Sequence, residues 1–470
     1  MMVPHSPLSL GALEKYSTKL LWLVLLLAAF LRFWHLGIID HAYFDEVNIP
    51  QFGYAMLNGL RETPFITVHP PLPHYLFAGA IALYYQLPWV DGHASVAWSA
   101  IDPLSYRWLT ALLGVSCCWF SAAIVKRLTG SGLMAVLAAF FVATDAVLVV
   151  DARAALNNII MLAFGLASIW AFVKANDNDS GAYQWRWLVF SGALIGSTVA
   201  IKWNGLAFWL VPLALVFVHV LRFGVDQLRP VVGVQGLRYS GPSAMQVVVF
   251  LVFVPSLVYW LWWQPYLWLE GHWDFLEIHQ RMRAFHTLEV GADDHPYCSA
   301  WYQWPYQGRP MSYLFAPIAG TQDVSVIHLL GNPVLYISSF LAVLLATGIW
   351  LRQCCQWLVS GVLAPSFWFL SLTCLGFWAN FLPWVLVRRC LFSYHYEPAS
   401  VFAFIALAWS FLSVGRLTLT SKLTRHAMTA VSLLLLLMIV IAWLYWLPLA
   451  LGLPISLDGF YQRMWFSRWI

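Results

Sequence analysis

Residues 20–47, LLWLVLLLAAFLRFWHLGIIDHAYFDEV, join an uninterrupted apolar run to a short polar motif that ends in two acidic residues. The apolar run, residues 20–30, is typical of a helix that enters a lipid bilayer. No small-residue cleavage site follows it; Arg32 and Trp34 do. We therefore interpret the run as a retained first membrane span and not as a cleaved signal peptide.

The composition extends this reading to the whole chain. Of 470 residues, 61% are apolar and 10% charged, and the mean hydropathy is +0.72. Soluble domains are about 45–50% apolar and 25% charged, so a cytosolic enzyme is excluded. A net charge of +4 is too small to predict a nucleic-acid partner. The sequence predicts an all-α polytopic integral membrane protein in contact with the lipid bilayer, with many of its 28 Trp side chains at the membrane interfaces.

Apolar windows of about 20 residues predict about 11 transmembrane helices. Two long hydrophilic segments, 37–103 and 264–326, separate some of them, and no internal repeat is evident, so residues 1–470 are predicted to form one integral-membrane domain. The predicted spans are 19–36, 105–126, 131–150, 155–173, 187–201, 203–221, 244–263, 327–350, 362–386, 397–414 and 427–449.

Loop charge predicts the orientation. With the N-terminus in the cytoplasm, the inside segments carry 13 basic residues against four acidic ones, and the outside holds the other 12 basic and 17 acidic residues. The outer basic residues lie in long loops or at span ends, where the positive-inside rule counts little. Both long segments and the C-terminus are therefore predicted to be external.

The cysteine pattern predicts neither a disulfide framework nor a metal site. Four of the seven cysteines form the adjacent pairs at 117–118 and 354–355, and only Cys298 lies in a long polar segment. No Cys/His spacing matches a zinc motif, so no metal or other cofactor is expected.

The acidic pair Asp45 and Glu46 follows the first span directly. A carboxylate at the membrane surface, flanked by aromatic residues, is suited to act as a general base on a hydroxyl group. The alternative is an acidic cap for the helix predicted at 47–60, because acidic residues favour helix N-termini. The spacing alone slightly favours the cap.

Several cations lie at the predicted outer ends of spans, and together they suggest a phosphate site at the headgroup level. The alternative for each is a side chain that snorkels to the interface. The residues are Arg107, Arg153, Lys202, Arg388 and Arg389.

Aromatic and histidine side chains supply candidates for substrate binding. His69 opens the motif HPPLPH, whose prolines are explained by a rigid loop but whose histidines are not. In the second long segment, Trp301 and Trp304 form either a sugar-binding surface or part of an interfacial aromatic belt.

Taken in order, the motifs resemble those of the protein O-mannosyltransferase family, membrane glycosyltransferases of the GT-C fold. The resemblance covers about residues 30–410. Its motifs are YFDEV at 43–47, HPPL at 69–72, YR at 106–107 with ALLG at 111–114, DAR at 151–153, KWNG at 202–205, the block from HPY at 295–297 through WP at 304–305 and RP at 309–310, and YHYEP at 394–398.

The resemblance implies inverting, metal-independent transfer of mannose from a polyprenyl-phosphate-mannose donor to Ser or Thr hydroxyls of exported acceptor proteins. It makes Asp45 and Glu46 catalytic, with Asp45 as the base, and assigns Arg107 to the donor phosphate. The other four cations are expected to assist Arg107. His69, Trp301, Trp304, His395 and Glu397 are the expected substrate-binding residues.

Three departures from the family pattern qualify this expectation. Pro73 and His74 stand where the family usually has Gly-Lys, and Asn158 stands where it has Asp. The soluble β-trefoil insert of eukaryotic members is absent, which suggests a bacterial-type member in the plasma membrane.

Two other functions remain open from the sequence. A related transferase would move a sugar such as aminoarabinose from a polyprenyl phosphate to a lipid or glycan, since a fold alone does not fix the acceptor. A transporter or flippase is disfavoured, because transporters often show repeats and polar groups near the bilayer midplane.

Overall fold

The computed structural model describes residues 10–60, 68–176, 181–228, 242–270, 274–289, 295–417 and 422–470. These residues form a helical bundle with one small antiparallel sheet, which the all-α prediction did not include. The helices are α1 (Leu10–Lys15), α2 (Ser17–Phe33), α3 (Ile49–Leu57), α4 (Leu72–Tyr84), α5 (Leu104–Thr129), α6 (Gly132–Thr144), α7 (Ala146–Arg153), α8 (Asn157–Ala175), α9 (Gly181–Ile201), α10 (Leu206–Leu228), α11 (Ala244–Val248), α12 (Val254–Glu270), α13 (Phe275–Ala284), α14 (Pro333–Ser360), α15 (Phe367–Phe381), α16 (Glu397–Leu417), α17 (Lys422–Leu451) and α18 (Leu457–Arg463).

The prediction of a multi-pass membrane protein is confirmed. Within the described residues, seven helical segments are long and apolar enough to cross a membrane, and eight if the bent pair α6–α7 counts as one span. The predicted number of 11 is not confirmed, although each predicted window contains a helix. Helices α2, α9 and α16 lie in such windows but fall outside this length and composition criterion.

Two predicted boundaries are wrong. Helix α12 continues to Glu270, because the apolar and aromatic residues beyond 263 extend the same helix. The window 327–350 begins too early, since residues 327–329 end a strand and α14 starts only at Pro333. The apolar run in that strand is indistinguishable by composition from the start of a buried helix.

The most buried helices are α7, α8 and α16, and they form the centre of the bundle. Helices α6 and α7 are joined with a 59° bend. Asp145 lies at the bend. Its side chain accepts a hydrogen bond from the backbone N–H of Leu148 and so caps the start of α7. The C-terminal end of α7 contacts two other parts of the chain: Arg153 binds the end of α2, and Asp151 binds Tyr313 in the second long loop.

The sheet has the order β1-β2-β3, formed by β1 (Met311–Pro317), β2 (Asp323–Leu329) and β3 (Pro454–Ser456). Strand β3 follows α17, so the C-terminal segment packs on the second long loop. The first loop reaches the same place, because the ring of Phe44 stacks on Tyr313 of β1 with centroids 4.0 Å apart. Both long loops and the C-terminal segment therefore lie at one end of the bundle.

Cys298 and Cys390 form a disulfide, with their Cα atoms 5.1 Å apart. Sequence analysis predicted no disulfide framework and did not identify this single disulfide, while the other five cysteines are free. The pair could not be identified from the sequence, because Cys390 lies next to an apolar run and is 92 residues away from Cys298. The disulfide joins the second long loop to the segment between α15 and α16.

Candidate active site

Asp45 lies in a 3₁₀ turn, Phe44–Val47, between α2 and α3. Phe44 has a positive φ of 52°, a conformation that non-glycine residues rarely adopt. Its stacking on Tyr313 compensates for that cost. The second long loop thus fixes the backbone immediately before Asp45.

The Asp45 side chain faces a small cavity of about 290 Å³, which we call the small cavity. Its lining includes His69, Asn158, Lys202 and Tyr394. Within the described part of the chain, no hydrogen bond or ion pair engages the Asp45 carboxylate. An unpaired carboxylate beside an open space is free to accept a proton from a bound hydroxyl.

Burial raises the pKa of Asp45 above the usual aspartate value. The nearby charge of Lys202 partly opposes this effect, while Asp151 adds to it. A raised pKa makes a carboxylate a stronger base than an ordinary exposed aspartate.

Glu46 has entirely different surroundings. It is fully buried and forms a bidentate ion pair with Arg107, with distances of 2.8 Å from Nε to Oε1 and 2.7 Å from Nη2 to Oε2. Its carboxylate also accepts hydrogen bonds from the backbone N–H groups of Tyr43 and Ala155. Glu46 therefore connects the turn to α5 and to the end of α7.

Arg107 is equally enclosed. Besides Glu46, its guanidinium donates to the backbone carbonyls of Leu36, Ile39 and His41. The residue is 1% exposed and lines neither the small cavity nor the larger one described below. Arg107 was expected to lie with the other cations, but unlike Lys202, Arg388 and Arg389 it does not face a cavity.

Arg153 also binds backbone within the protein. Its guanidinium donates to the carbonyls of Leu31, Arg32, Trp34 and His35, at the C-terminal end of α2. A cation is favourable there because the last carbonyls of a helix lack intrahelical partners. Arg153 lines neither cavity.

Lys202 lies between α9 and the 3₁₀ turn Trp203–Gly205, and it confirms the predicted break between two helices at this residue. Its ammonium group donates to Asn158 Oδ1 at 2.7 Å and lies 5.0 Å from the ring centroid of Tyr394. Lys202 and His69 both line the small cavity and the large cavity. The small cavity and the large cavity therefore meet at Lys202 and His69.

The large cavity has a volume of about 830 Å³. Three cations line it: Lys202, Arg388 and Arg389. Its lining also includes apolar side chains from α10 and from the turn after α15: Leu206, Ala207, Leu210, Pro383, Leu386 and Val387. A space lined by both cations and apolar side chains is suited to a lipid with a phosphate headgroup.

Arg388 is exposed and Arg389 half-buried. Within the described residues, neither guanidinium has a hydrogen-bond or ion-pair partner. The disulfide at Cys390 and hydrogen bonds from the Ser299 N–H and hydroxyl to the Leu391 carbonyl hold this segment in place. The segment thus presents two unpaired cations on a fixed backbone.

Three histidines line the large cavity: His69, His286 and His395. The ring centroids of His69 and His286 lie 5.8 Å apart, and the ring of His286 contacts the Val68 carbonyl. Burial lowers the pKa of His69 and His395 well below the usual value and that of His286 to about 4. At neutral pH these rings are uncharged and act as hydrogen-bonding groups.

The remaining predicted residues do not line either cavity. Trp304 is buried and donates to Ser299 Oγ at 2.9 Å, and Trp301 packs against Phe381. Glu397 is 1% exposed, and its carboxyl oxygens have no hydrogen-bond partner in the described residues. None of the three lines either cavity.

Sequence analysis assigned no individual role to Tyr313, His286 or Asp151. Tyr313 donates its hydroxyl to Asp151, whose other oxygen accepts from Asn158 Nδ2 at 2.8 Å. Asp151 was noted only as part of the DAR motif, and Asn158 only as a departure from a motif. No sequence signal connects β1 to α7, because the contact spans 162 residues.

Within the described residues, no group of three or more His, Cys, Asp or Glu side chains is arranged to hold a metal ion. Among the described residues that line the cavities are cations, neutral histidines, the carboxylate of Asp45, and several amide and hydroxyl side chains. This set suits acid–base chemistry beside a bound anion.

Solved structures with a similar fold are membrane glycosyltransferases. The S. cerevisiae protein O-mannosyltransferase Pmt1-Pmt2 complex bound to the sugar donor has a TM-score of 0.77 at 14% identity, over 96% of this chain and 92% of that one. ArnT from Cupriavidus metallidurans bound to undecaprenyl phosphate has a TM-score of 0.52 at 13% identity, over 95% and 76%. These likenesses confirm the GT-C fold.

Sequence comparison is more specific. Polyprenol-phosphate-mannose–protein mannosyltransferases of Mycolicibacterium smegmatis and Mycobacterium tuberculosis are 25% and 26% identical, over 94% and 95% of this chain and 91% of each relative. Residues 272–469 match the C-terminal four-transmembrane region of protein O-mannosyltransferases, and residues 22–270 match the mannosyltransferase family itself. The chain therefore belongs to the dolichyl-phosphate-mannose–protein mannosyltransferase family.

Proposed function

We propose that this protein transfers mannose from a polyprenyl-phosphate-mannose donor to Ser or Thr hydroxyls of exported proteins, at the outer face of the plasma membrane. The observation that carries the proposal is the unpaired Asp45 carboxylate in the small cavity, which meets the cation-lined large cavity at Lys202 and His69. Family membership and the names of the bacterial relatives support the donor and acceptor classes.

The donor occupies the large cavity in this proposal. Its phosphate lies against Lys202, Arg388 and Arg389, and its polyprenyl tail follows the apolar wall formed by α10. The phosphate places the mannose at the junction of the two cavities. The neutral rings of His69 and His395 are available for hydrogen bonds with the sugar or phosphate.

The acceptor hydroxyl enters the small cavity. Asp45 takes the hydroxyl proton while the hydroxyl oxygen bonds to the anomeric carbon of mannose. The bond from that carbon to the phosphate oxygen breaks, and its electron pair leaves with the polyprenyl phosphate. The nearby cations stabilise the charge that develops on this leaving group, and displacement from the opposite face inverts the anomeric centre.

Glu46, Arg107 and Arg153 act as positioning residues in this proposal. The Glu46–Arg107 pair fixes the turn that carries Asp45. Arg153 holds the end of α2 from which that turn begins. Arg107 and Arg153 were expected to bind the donor phosphate. In this proposal the phosphate is bound instead by Lys202, Arg388 and Arg389, which line the large cavity.

The test is transfer of labelled mannose from polyprenyl-phosphate-mannose to a Ser/Thr-rich peptide by the purified protein in lipid. Asp45→Asn should abolish transfer. Asp40→Asn is the matched control, because Asp40 lies in the same loop but is exposed and, among the residues that the structure describes, forms an ion pair only with its neighbour His41. We expect this control to retain wild-type turnover.

Normal turnover by Asp45→Asn would refute Asp45 as the base. No labelled peptide with the wild-type protein, together with retained donor binding, would indicate a lipid or glycan acceptor, as in an aminoarabinose transferase. No donor binding by the wild-type protein would refute the proposed activity.

The position of the disulfide supports the proposed external location of the two cavities. The Cys298–Cys390 disulfide joins segments at the end of the bundle that carries both cavities. Disulfides persist in oxidising compartments outside the cytoplasm. This agrees with the orientation that loop charge predicts, with the N-terminus in the cytoplasm and the C-terminus external.

A further inference from the structure

We propose that Tyr313 positions both halves of the active site: its ring fixes the turn that carries Asp45, and its hydroxyl orients Lys202 through two buried intermediaries. Tyr313, Asp151, Asn158 and Lys202 are hydrogen-bonded in that order, and we call them the Tyr313 network. The inference rests on the proposed function, in which Asp45 is the base and Lys202 binds the donor phosphate.

The ring is the first connection. Tyr313 and Phe44 stack at 4.0 Å between centroids with their planes 10° apart. Phe44 directly precedes Asp45 and has an unfavourable positive φ, so this stacking helps to keep the turn in its observed conformation. Loss of the ring should therefore disturb the position of the Asp45 carboxylate.

The hydroxyl is the second connection. It donates to one oxygen of Asp151, and Asn158 Nδ2 donates to the other oxygen. The amide oxygen of Asn158 then accepts from the Lys202 ammonium. All four side chains are at most 6% exposed, so water does not compete for these bonds.

The side-chain amide of Asn158 joins Asp151 to Lys202, because it donates to the first and accepts from the second. An amide carries both a donor and an acceptor, so it can join a carboxylate to an ammonium group. Because the partner of Lys202 is neutral, the lysine charge is oriented without being paired by a carboxylate in direct contact. That charge remains available for an anionic ligand in either cavity.

The local strand structure explains how Tyr313 reaches this position. The pairing of β1 with β2 is regular at Ser312↔His328 and at Leu314↔Ile327, so Tyr313 is the extra residue of a β-bulge. Bulges redirect a side chain away from the regular alternation of a strand. Here the redirected side chain lies between the first loop and the end of α7.

Two substitutions at one position separate the two connections. Tyr313→Phe keeps the ring and removes the hydroxyl, so we expect the KM for polyprenyl-phosphate-mannose to rise about three- to tenfold with little change in kcat. Tyr313→Leu also removes the stacking, so kcat should fall as well. Asn158→Leu interrupts the network at another residue and should reproduce the KM effect of Tyr313→Phe.

Binding should be measured separately from turnover, with farnesyl phosphate as the probe. Its Kd should rise by the same factor as KM in Tyr313→Phe and Asn158→Leu. Tyr461→Phe is the matched control, since that tyrosine is 51% exposed at the same end of the molecule and should bind and turn over as wild type. Thermal unfolding of each variant identifies any that are misfolded.

The outcomes distinguish the inference from the proposed function. If wild type binds farnesyl phosphate and both Tyr313→Phe and Asn158→Leu bind it equally well, the network does not orient Lys202 and the inference is overturned. Equal kcat for Tyr313→Leu and Tyr313→Phe would overturn the role of the ring. Failure of the wild-type protein to bind the probe would instead count against the proposed donor site.

Discussion

Asp45 and Glu46 are neighbours in sequence, but only Glu46 has a buried ionic partner. Replacement of Glu46 by Gln would leave the Arg107 charge buried and unpaired, at a cost of about 3–5 kcal/mol in the free energy of unfolding. Asp45→Asn removes no hydrogen bond within the described residues and should change this free energy by less than about 0.5 kcal/mol.

Thermal unfolding of the purified variants in lipid measures this difference. We expect a clearly lower midpoint for Glu46→Gln and an unchanged midpoint for Asp45→Asn, although both lose activity. Equal midpoints would contradict the division between a structural and a catalytic carboxylate.

The acidic limb of the pH–rate profile should report Asp45 ionisation. Burial raises its pKa, and a general base must be unprotonated, so kcat/KM should fall as the pH decreases through this raised value. Lys202→Gln removes a charge that lowers the Asp45 pKa, so this variant should lose activity at a higher pH than wild type does. A profile that shifts towards lower pH in Lys202→Gln would contradict this reading.

At the scale of elements, the disulfide holds the segment that carries two of the proposed phosphate-binding cations. It attaches the segment that carries Arg388 and Arg389 to the second long loop. The double variant Cys298→Ser/Cys390→Ser should therefore raise the donor KM about tenfold, equivalent to about 1.4 kcal/mol of binding. Steady-state kinetics with varied donor would show this change.

The matched control for the disulfide is Cys354→Ser/Cys355→Ser, because these two cysteines are free and lie near the far end of α14. It should leave the donor KM unchanged. An increase in KM for the control alone, or for neither variant, would contradict the proposed role of the disulfide.

For the whole molecule, the arrangement of loops makes a prediction about topology. The C-terminal segment packs on β2, so Tyr461 lies at the end that carries the cavities, whereas Ser360 ends α14 at the opposite end. In a background with Cys354→Ser/Cys355→Ser, a membrane-impermeant thiol reagent should label Tyr461→Cys in intact cells. It should label Ser360→Cys only after the membrane is permeabilised, and the reverse pattern would invert the proposed orientation.

The sequence by itself determined the membrane class, most helix positions and the family. These follow from local properties: apolar length, charge bias between loops and short ordered motifs such as YFDEV. Asp45 could be proposed as the base only through the family resemblance, because its position after the first span by itself slightly favours a helix cap. Residues 327–329, the end of β2, were wrongly assigned to a membrane span, because a short apolar run has no periodicity that separates a strand from a helix.

Only the tertiary structure decided which charged residues face the cavities. Arg107 and Lys202 are both cations at predicted span ends, yet the guanidinium of Arg107 binds Glu46 and three carbonyls while Lys202 lines both cavities. The disulfide and the Tyr313 network likewise join residues 92 and 162 positions apart. The physical reason is that the availability of a buried charge depends on its partners, and those partners come from segments distant in sequence.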